Sequence, residues 1–73
     1  MKITITGKFT TGTDEYQEIS SNKEEFIFTM NKIMNNNACN WPELVECKGR
    51  IPEYVTSFFN EYDPLGDAQI RVI

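Results

Sequence analysis

Apolar residues alternate at both ends of this chain and recur at helical spacing in between, and that order most limits what it can fold into. In residues 2–10, KITITGKFT, Ile3, Ile5 and Phe9 share one phase while Thr4, Thr6 and Lys8 take the other. Successive strand side chains point to opposite faces, so this segment reads as a strand with one buried face. Residues 68–73, AQIRVI, alternate again with Ala68, Ile70 and Val72 in phase, and read as a final structural strand. With 73 residues, the chain has room for one domain in which a single sheet collects both ends under one layer of helices.

Gly7 falls in the buried phase of the first strand, where a bulge or the close approach of another backbone is expected. Thr11-Gly12-Thr13 supplies a short turn, and residues 14–19 read as the return strand, with Tyr16 and Glu18 on one face and Ile19 on the other. Ser21 and Glu24 stand at capping-box spacing, so the first helix is expected to start there. Phe26, Ile27, Met30, Ile33 and Met34 make one apolar stripe along it, and Phe28 lies off that stripe. Asn35-Asn36-Asn37 is expected to end the helix with a left-handed cap.

The stretch 38–50 admits two readings. Asn40, Pro42 and Glu43 suit the first turn of a short helix, whereas Leu44-Val45-Glu46-Cys47 closed by Gly49 suits a strand, and the strand is favoured. Pro52, at the first helical position, opens a second helix in which Tyr54, Val55, Phe58, Phe59 and Tyr62 form a broad aromatic face. Asp63-Pro64-Leu65-Gly66 stops it. The expected fold is therefore α+β: an N-terminal hairpin, a helix, a third strand, a second helix and a C-terminal strand, in a mixed sheet with helices on one face. This order resembles the β-grasp architecture, which implies first and last strands lying parallel at the sheet centre. The C-terminal diglycine of conjugated or sulfur-carrying β-grasp proteins is missing, so the resemblance implies neither activity.

The formal net charge of −4 argues against direct nucleic-acid binding, which needs clustered cations; only Lys48 and Arg50 are near neighbours. An acidic balance favours a protein partner, in particular one with a basic nucleic-acid-binding surface. MKITITGKFT lacks the uninterrupted apolar stretch of a signal peptide, and no run is long enough to span a membrane. A cytoplasmic protein with Cys39 and Cys47 as free thiols is expected, without a membrane partner. Ile occurs eight times and Asn seven, against two Ala and two Arg, a bias that AT-rich codons produce and that points to a low-GC bacterium or its phage.

The chain has no His, which removes the commonest general base and metal ligand. Cys39 and Cys47 stand eight residues apart, matching neither a redox pair nor half a zinc site, and read as packing residues. Glu43 and Glu46 would share a face only on a helix, and Asn60, Asp63 and Asp67 do not follow the spacing of a calcium loop. No catalytic residue, metal or cofactor is expected. The candidate binding residues are aromatic and acidic. Trp41 stands beside Pro42 in a polar connection, and with Phe28 and Tyr16 could form the kind of patch on which partners dock. Asp14, Glu15, Glu18, Glu24 and Glu25 gather around the hairpin and the first helix start, where carboxylates could stand in for phosphates. The expectation is a small, non-catalytic inhibitor that occupies a macromolecular surface, as phage counter-defence or host-takeover proteins do. The alternative is an accessory or regulatory subunit, including a homodimer.

Overall fold

The structure, a computed structural model, describes residues 1–12 and 14–73; Thr13, the last residue of the expected hairpin turn, lies outside the described residues. Six elements follow in the expected order: β1 (Ile3–Lys8), β2 (Glu15–Ser20), α1 (Lys23–Met34), β3 (Leu44–Cys47), α2 (Glu53–Tyr62) and β4 (Gln69–Val72). The segment with two readings is thus a strand. Its Val45 and Cys47 are fully buried and alternate with half-buried Leu44 and Glu46.

The four strands form one mixed sheet in the order β2-β1-β3-β4, with β1 antiparallel to both its neighbours and β3 parallel to β4. Here the strand order differs from the β-grasp arrangement, because β3 rather than the last strand lies beside β1, and β4 is an edge. The five residues between α2 and Ala68 feed the chain to the far side of β3, where Gln69 N–H donates to the Glu43 carbonyl, 2.9 Å. Opposed residues share a face, and the register sorts the sheet cleanly. Ser20, Ile3, Cys47 and Val72 form one row on the core face, and Glu18, Ile5, Val45 and Ile70 form the next. Ile19, Thr4, Glu46 and Arg71 make a row on the opposite face, where Arg71 clamps Glu46 through Nε (3.0 Å) and Nη2 (2.8 Å).

Gly7 marks no bulge, since the β1–β2 register runs unbroken from Ile3 to Lys8. It stands opposite Tyr16, whose ring occupies the space where a Cβ would go. The approach that selects glycine is therefore an aromatic side chain, not a backbone. Phe9 continues past β1 in an isolated bridge to Cys39. Gly12, at φ 99°, takes the left-handed conformation as its N–H returns to the Phe9 carbonyl, 3.0 Å.

Both helix starts sit one residue from their expected places. The cap of α1 is Asn22, not Ser21: its side-chain oxygen accepts from Glu25 N–H at 2.9 Å. Glu25 rather than Glu24 reaches back, accepting from the backbone N–H (2.9 Å) and hydroxyl (2.8 Å) of Ser21. Asn and Ser cap about equally well, so spacing alone could not choose between adjacent candidates. Pro52 is likewise the cap of α2 rather than its first residue; its ψ of 149° is extended, and its carbonyl accepts from Val55 and Thr56. Asn35 ends α1 with right-handed backbone, φ −90°, in place of the expected left-handed cap. Asn36 does the turning instead, its side chain accepting from Ala38 N–H at 2.9 Å.

Both helices pack on the same face of the sheet. Ile3, Ile5, Phe26, Met30, Val45, Cys47 and Val55 have no exposed surface. Phe26 is the centre of the aromatic packing: its ring lies 5.6 Å from Tyr54, 5.5 Å edge-on from Phe58 and 6.3 Å from Phe59. Met34 and Tyr62, the last members of the two expected stripes, are partly exposed at their helix ends. The total accessible surface of 4732 Å² equals the roughly 4,700 Å² that a chain of this mass keeps on folding, so packing is of ordinary closeness.

Two stability outcomes follow. Phe26→Ala should cost about 3–5 kcal/mol, a large part of the 4–11 kcal/mol, roughly, available to a chain this long, and urea melts should show the variant at least half unfolded at warm temperature. Gly7→Ala should cost about 1–3 kcal/mol through overpacking, and the same change made in a Tyr16→Val background should cost clearly less. Equal costs in the two backgrounds would show that Tyr16 is not what selects the glycine.

Candidate partner-binding surface

The three aromatic residues expected to share a surface patch are separated by the fold. Tyr16 is a core residue, 6% exposed, its ring tilted against that of Phe9 at 5.6 Å, and its hydroxyl donates to the Asn40 carbonyl at 2.6 Å. Burial, with the nearby Cys39 and Glu43 adding to it, pushes its phenol up to about 12. The alternation had placed Tyr16 on one face of β2 with Glu18, and that is the face that turns inward. Trp41 is half-buried and closes one side of the core, edge-on to Phe59 at 5.8 Å, while the adjacent Pro42 is fully buried. Its indole N–H is buried beside the Asp63 carboxylate, although the geometry falls short of a hydrogen bond. Of the three, only Phe28 is a surface ring, 69% exposed on the outer side of α1.

Phe28 has other company. With Ile19, which is 55% exposed on β2, it flanks a hollow of ≈ 540 Å³ between β2 and α1, walled by Glu18, Glu24, Glu25 and Lys32. Three of the five expected acidic residues thus meet Phe28 at one place. Asp14 and Glu15 sit beyond it, at the hairpin end of the same strand, with Glu15 opposite Lys8. The local chain explains the arrangement. Glu18 points inward on an edge strand, too near the rim to be sealed, and its carboxylate reaches out to Lys32 of α1 at 2.9 Å. Glu25 is held by the cap described above; the Ser21 hydroxyl and backbone N–H keep its carboxyl below the usual range. Among the described residues Glu24 has no ion-pair partner.

Ile19 and Lys32 are the members of this surface that sequence reasoning did not single out. An isoleucine on the solvent phase of an otherwise polar strand face was a readable signal for the first. Lys32 is one of seven scattered cations, and nothing local distinguished it.

The remaining candidates resolve into structural roles. Asp63 accepts the backbone N–H groups of Ala68 and Asp67, each at 2.9 Å, and these bonds hold its carboxyl below the usual range while they fix the turn into β4. Glu46 is taken up by Arg71, and Glu43 lies 4.0 Å from Lys8. Cys39 and Cys47 are free thiols, the second fully buried and pushed up by that burial. Among the described residues no group of three His, Cys, Asp or Glu is placed to hold a metal ion, and no helix is long and apolar enough to cross a membrane. A second hollow of ≈ 570 Å³ runs between the helices, over Ile27, Tyr54, Phe58 and Tyr62, with Lys23 facing Glu53 and Glu61 across it. It carries one lysine and two glutamates, against one lysine and three glutamates around Phe28.

The Tyr16 phenol has a directional consequence for stability. Its proton is held more tightly in the folded chain (about 12) than at the ordinary value of 10.0. The folded state therefore binds more protons between those values, and stability is complete below pH 10 and declines as the pH rises towards 12. Urea midpoints measured across that range should fall in the wild type and fall less steeply in Tyr16→Phe, where the phenol of Tyr54, also pushed up by burial, still titrates; the variant also loses about 1 kcal/mol at neutral pH.

No known protein family, curated protein or solved structure matches this chain.

Proposed function

We propose that the protein is a small, non-catalytic binding module that works by occupying a surface of another protein, with the hollow between β2 and α1 as its contact. The observation that carries this reading is the conjunction of an exposed Phe28 with Ile19, Glu18, Glu24 and Glu25 around one concavity. A large apolar ring within a polar rim is the composition of a binding hot spot. Its acidic rim selects a partner whose own surface is basic. Proteins that bind nucleic acid carry such surfaces, so an inhibitor that covers a phosphate-binding site is the form of this function that the charge favours. The excess of Ile and Asn, whose codons are AT-rich, over Ala and Arg fits a phage or low-GC bacterial protein that acts in the cytoplasm, where both thiols stay reduced.

A second reading, an accessory subunit or homodimer, is favoured by β4. Among the described residues its outer edge is covered by no other strand, and Val72 within it and Ile73 after it are at least half exposed. Light scattering at high concentration separates the two, since a monomer mass removes the homodimer.

Affinity capture from a low-GC bacterial lysate, with mass spectrometry of what co-elutes, tests the first reading. The wild type should retain one stoichiometric partner, and Phe28→Ala should weaken it by about thirtyfold or more, as truncation of a hot-spot ring does. Reversal of Glu18, Glu24 and Glu25 to Lys should abolish capture. Recovery of the bait alone, or equal capture by all variants, would overturn the assignment of this surface.

A further inference from the structure

Resting on the reading just given, we infer that the partner engages this surface as an extended basic segment that joins the sheet outside β2 as a fifth strand. The hydrogen-bond pattern shows which backbone groups are ready for it. Phe9 N–H donates to the Asp14 carbonyl, while the carbonyls of Lys2, Thr6 and Lys8 accept from the β3 side, at Lys48, Glu43 and Asn40. In an antiparallel ladder the two directions alternate residue by residue. Asp14, Tyr16, Glu18 and Ser20 therefore bond inward to β1, and the N–H and C=O groups of Glu15, Gln17 and Ile19 point outward. Among the described residues none of those outward groups has a partner. β2 is an edge strand, so the row is open to another chain.

What surrounds the row states the chemistry of the occupant. A strand laid there would place alternate side chains on the helix side, over Phe28 and between Glu18 and Glu24, and the others on the far face, beside Ile19 and Glu15. The helix side combines Phe28 with three carboxylates, and the far side combines Ile19 with one, Glu15, so the complementary segment alternates or mixes apolar residues with Lys or Arg. Strand addition draws affinity from the main chain and specificity from such alternate side-chain contacts. The same carboxylates exclude a second copy of this chain, because two β2 edges would set acids against acids.

The test uses the whole protein and three synthetic peptides: alternating lysine and valine, alternating glutamate and valine, and the lysine–valine peptide with alternate backbone nitrogens methylated. Binding is read by fluorescence anisotropy, and amide hydrogen exchange is followed by NMR. The lysine–valine peptide should bind and slow exchange at Glu15, Gln17 and Ile19, and the glutamate–valine peptide should not bind. Methylation should weaken binding on the order of tenfold or more, since it removes main-chain donors. Phe28→Ala, a change at an exposed site, should weaken it while leaving the fold intact. Equal binding of the methylated peptide would overturn strand addition and leave a charge-driven surface contact. Slowed exchange at Ile70 and Val72 instead would assign the docking to β4. Slowed exchange at β2 that rises with protein concentration and needs no peptide would assign it to a second copy. If no peptide binds although lysate capture depends on Phe28, strand addition fails and the binding module stands; if both fail, both fall.

Discussion

Phe26 joins the two helices of this protein, and much of the rest depends on that contact. It comes from α1, is wholly buried, and meets three rings of α2 at 5.5 to 6.3 Å. The edge-on geometry suits the ring quadrupoles, and each such pair adds about 0.5–1.5 kcal/mol beyond the area it buries. Phe59 then passes the contact on to Trp41, 5.8 Å away, so the connection into β3 is packed against the same cluster. A chain this short has few ways to hold two helices on one sheet. Rings that touch several neighbours at once do it with the fewest residues.

The sheet order sets where such a scaffold can meet another molecule. β1 and β3 are central and carry fully buried Ile3, Ile5, Val45 and Cys47, leaving β2 and β4 as edges. The two edges differ in chemistry. β4 has one cation, Arg71, already committed to Glu46, and is otherwise uncharged. β2 is bordered by carboxylates from its own residues and from the first turn of α1. The capping residues of that turn thus have two effects. Asn22 and Ser21 stabilise the helix start, and by holding Glu25 they also fix an acid at the lip of the hollow.

Much of the fold was legible in the residues. Element order, the hairpin, the one-sided stripes and the turn at Asp63 all follow from periodicity and local turn chemistry, because those signals depend only on near neighbours in the chain. Both helix starts were misplaced by one residue, at α1 because Ser21 and Asn22 cap about equally well. Tyr16 shows a different limit. Its alternation phase was correct, but which phase of a weakly patterned strand turns inward depends on what lies opposite, and opposite it lies Gly7. The expected partnership of Tyr16, Trp41 and Phe28 failed for the same reason, since each was judged by its own surroundings in sequence. Three members of the acidic group stay together because they lie within one strand end and the helix turn that follows.

The residues by themselves determined that this chain makes one hairpin, two amphipathic helices and a C-terminal strand, and favoured a strand over residues 44–47, with charge concentrated around the hairpin and the first helix. Tertiary structure alone decided that β3 lies between β1 and β4, that Tyr16 is core, and that Ile19, Phe28 and Lys32 share a surface with Glu18. Period-two alternation states which side of a strand is apolar and is the same whatever strand lies beside it. Neighbour choice is settled only when the whole core closes, by which rings and strands fill the space together.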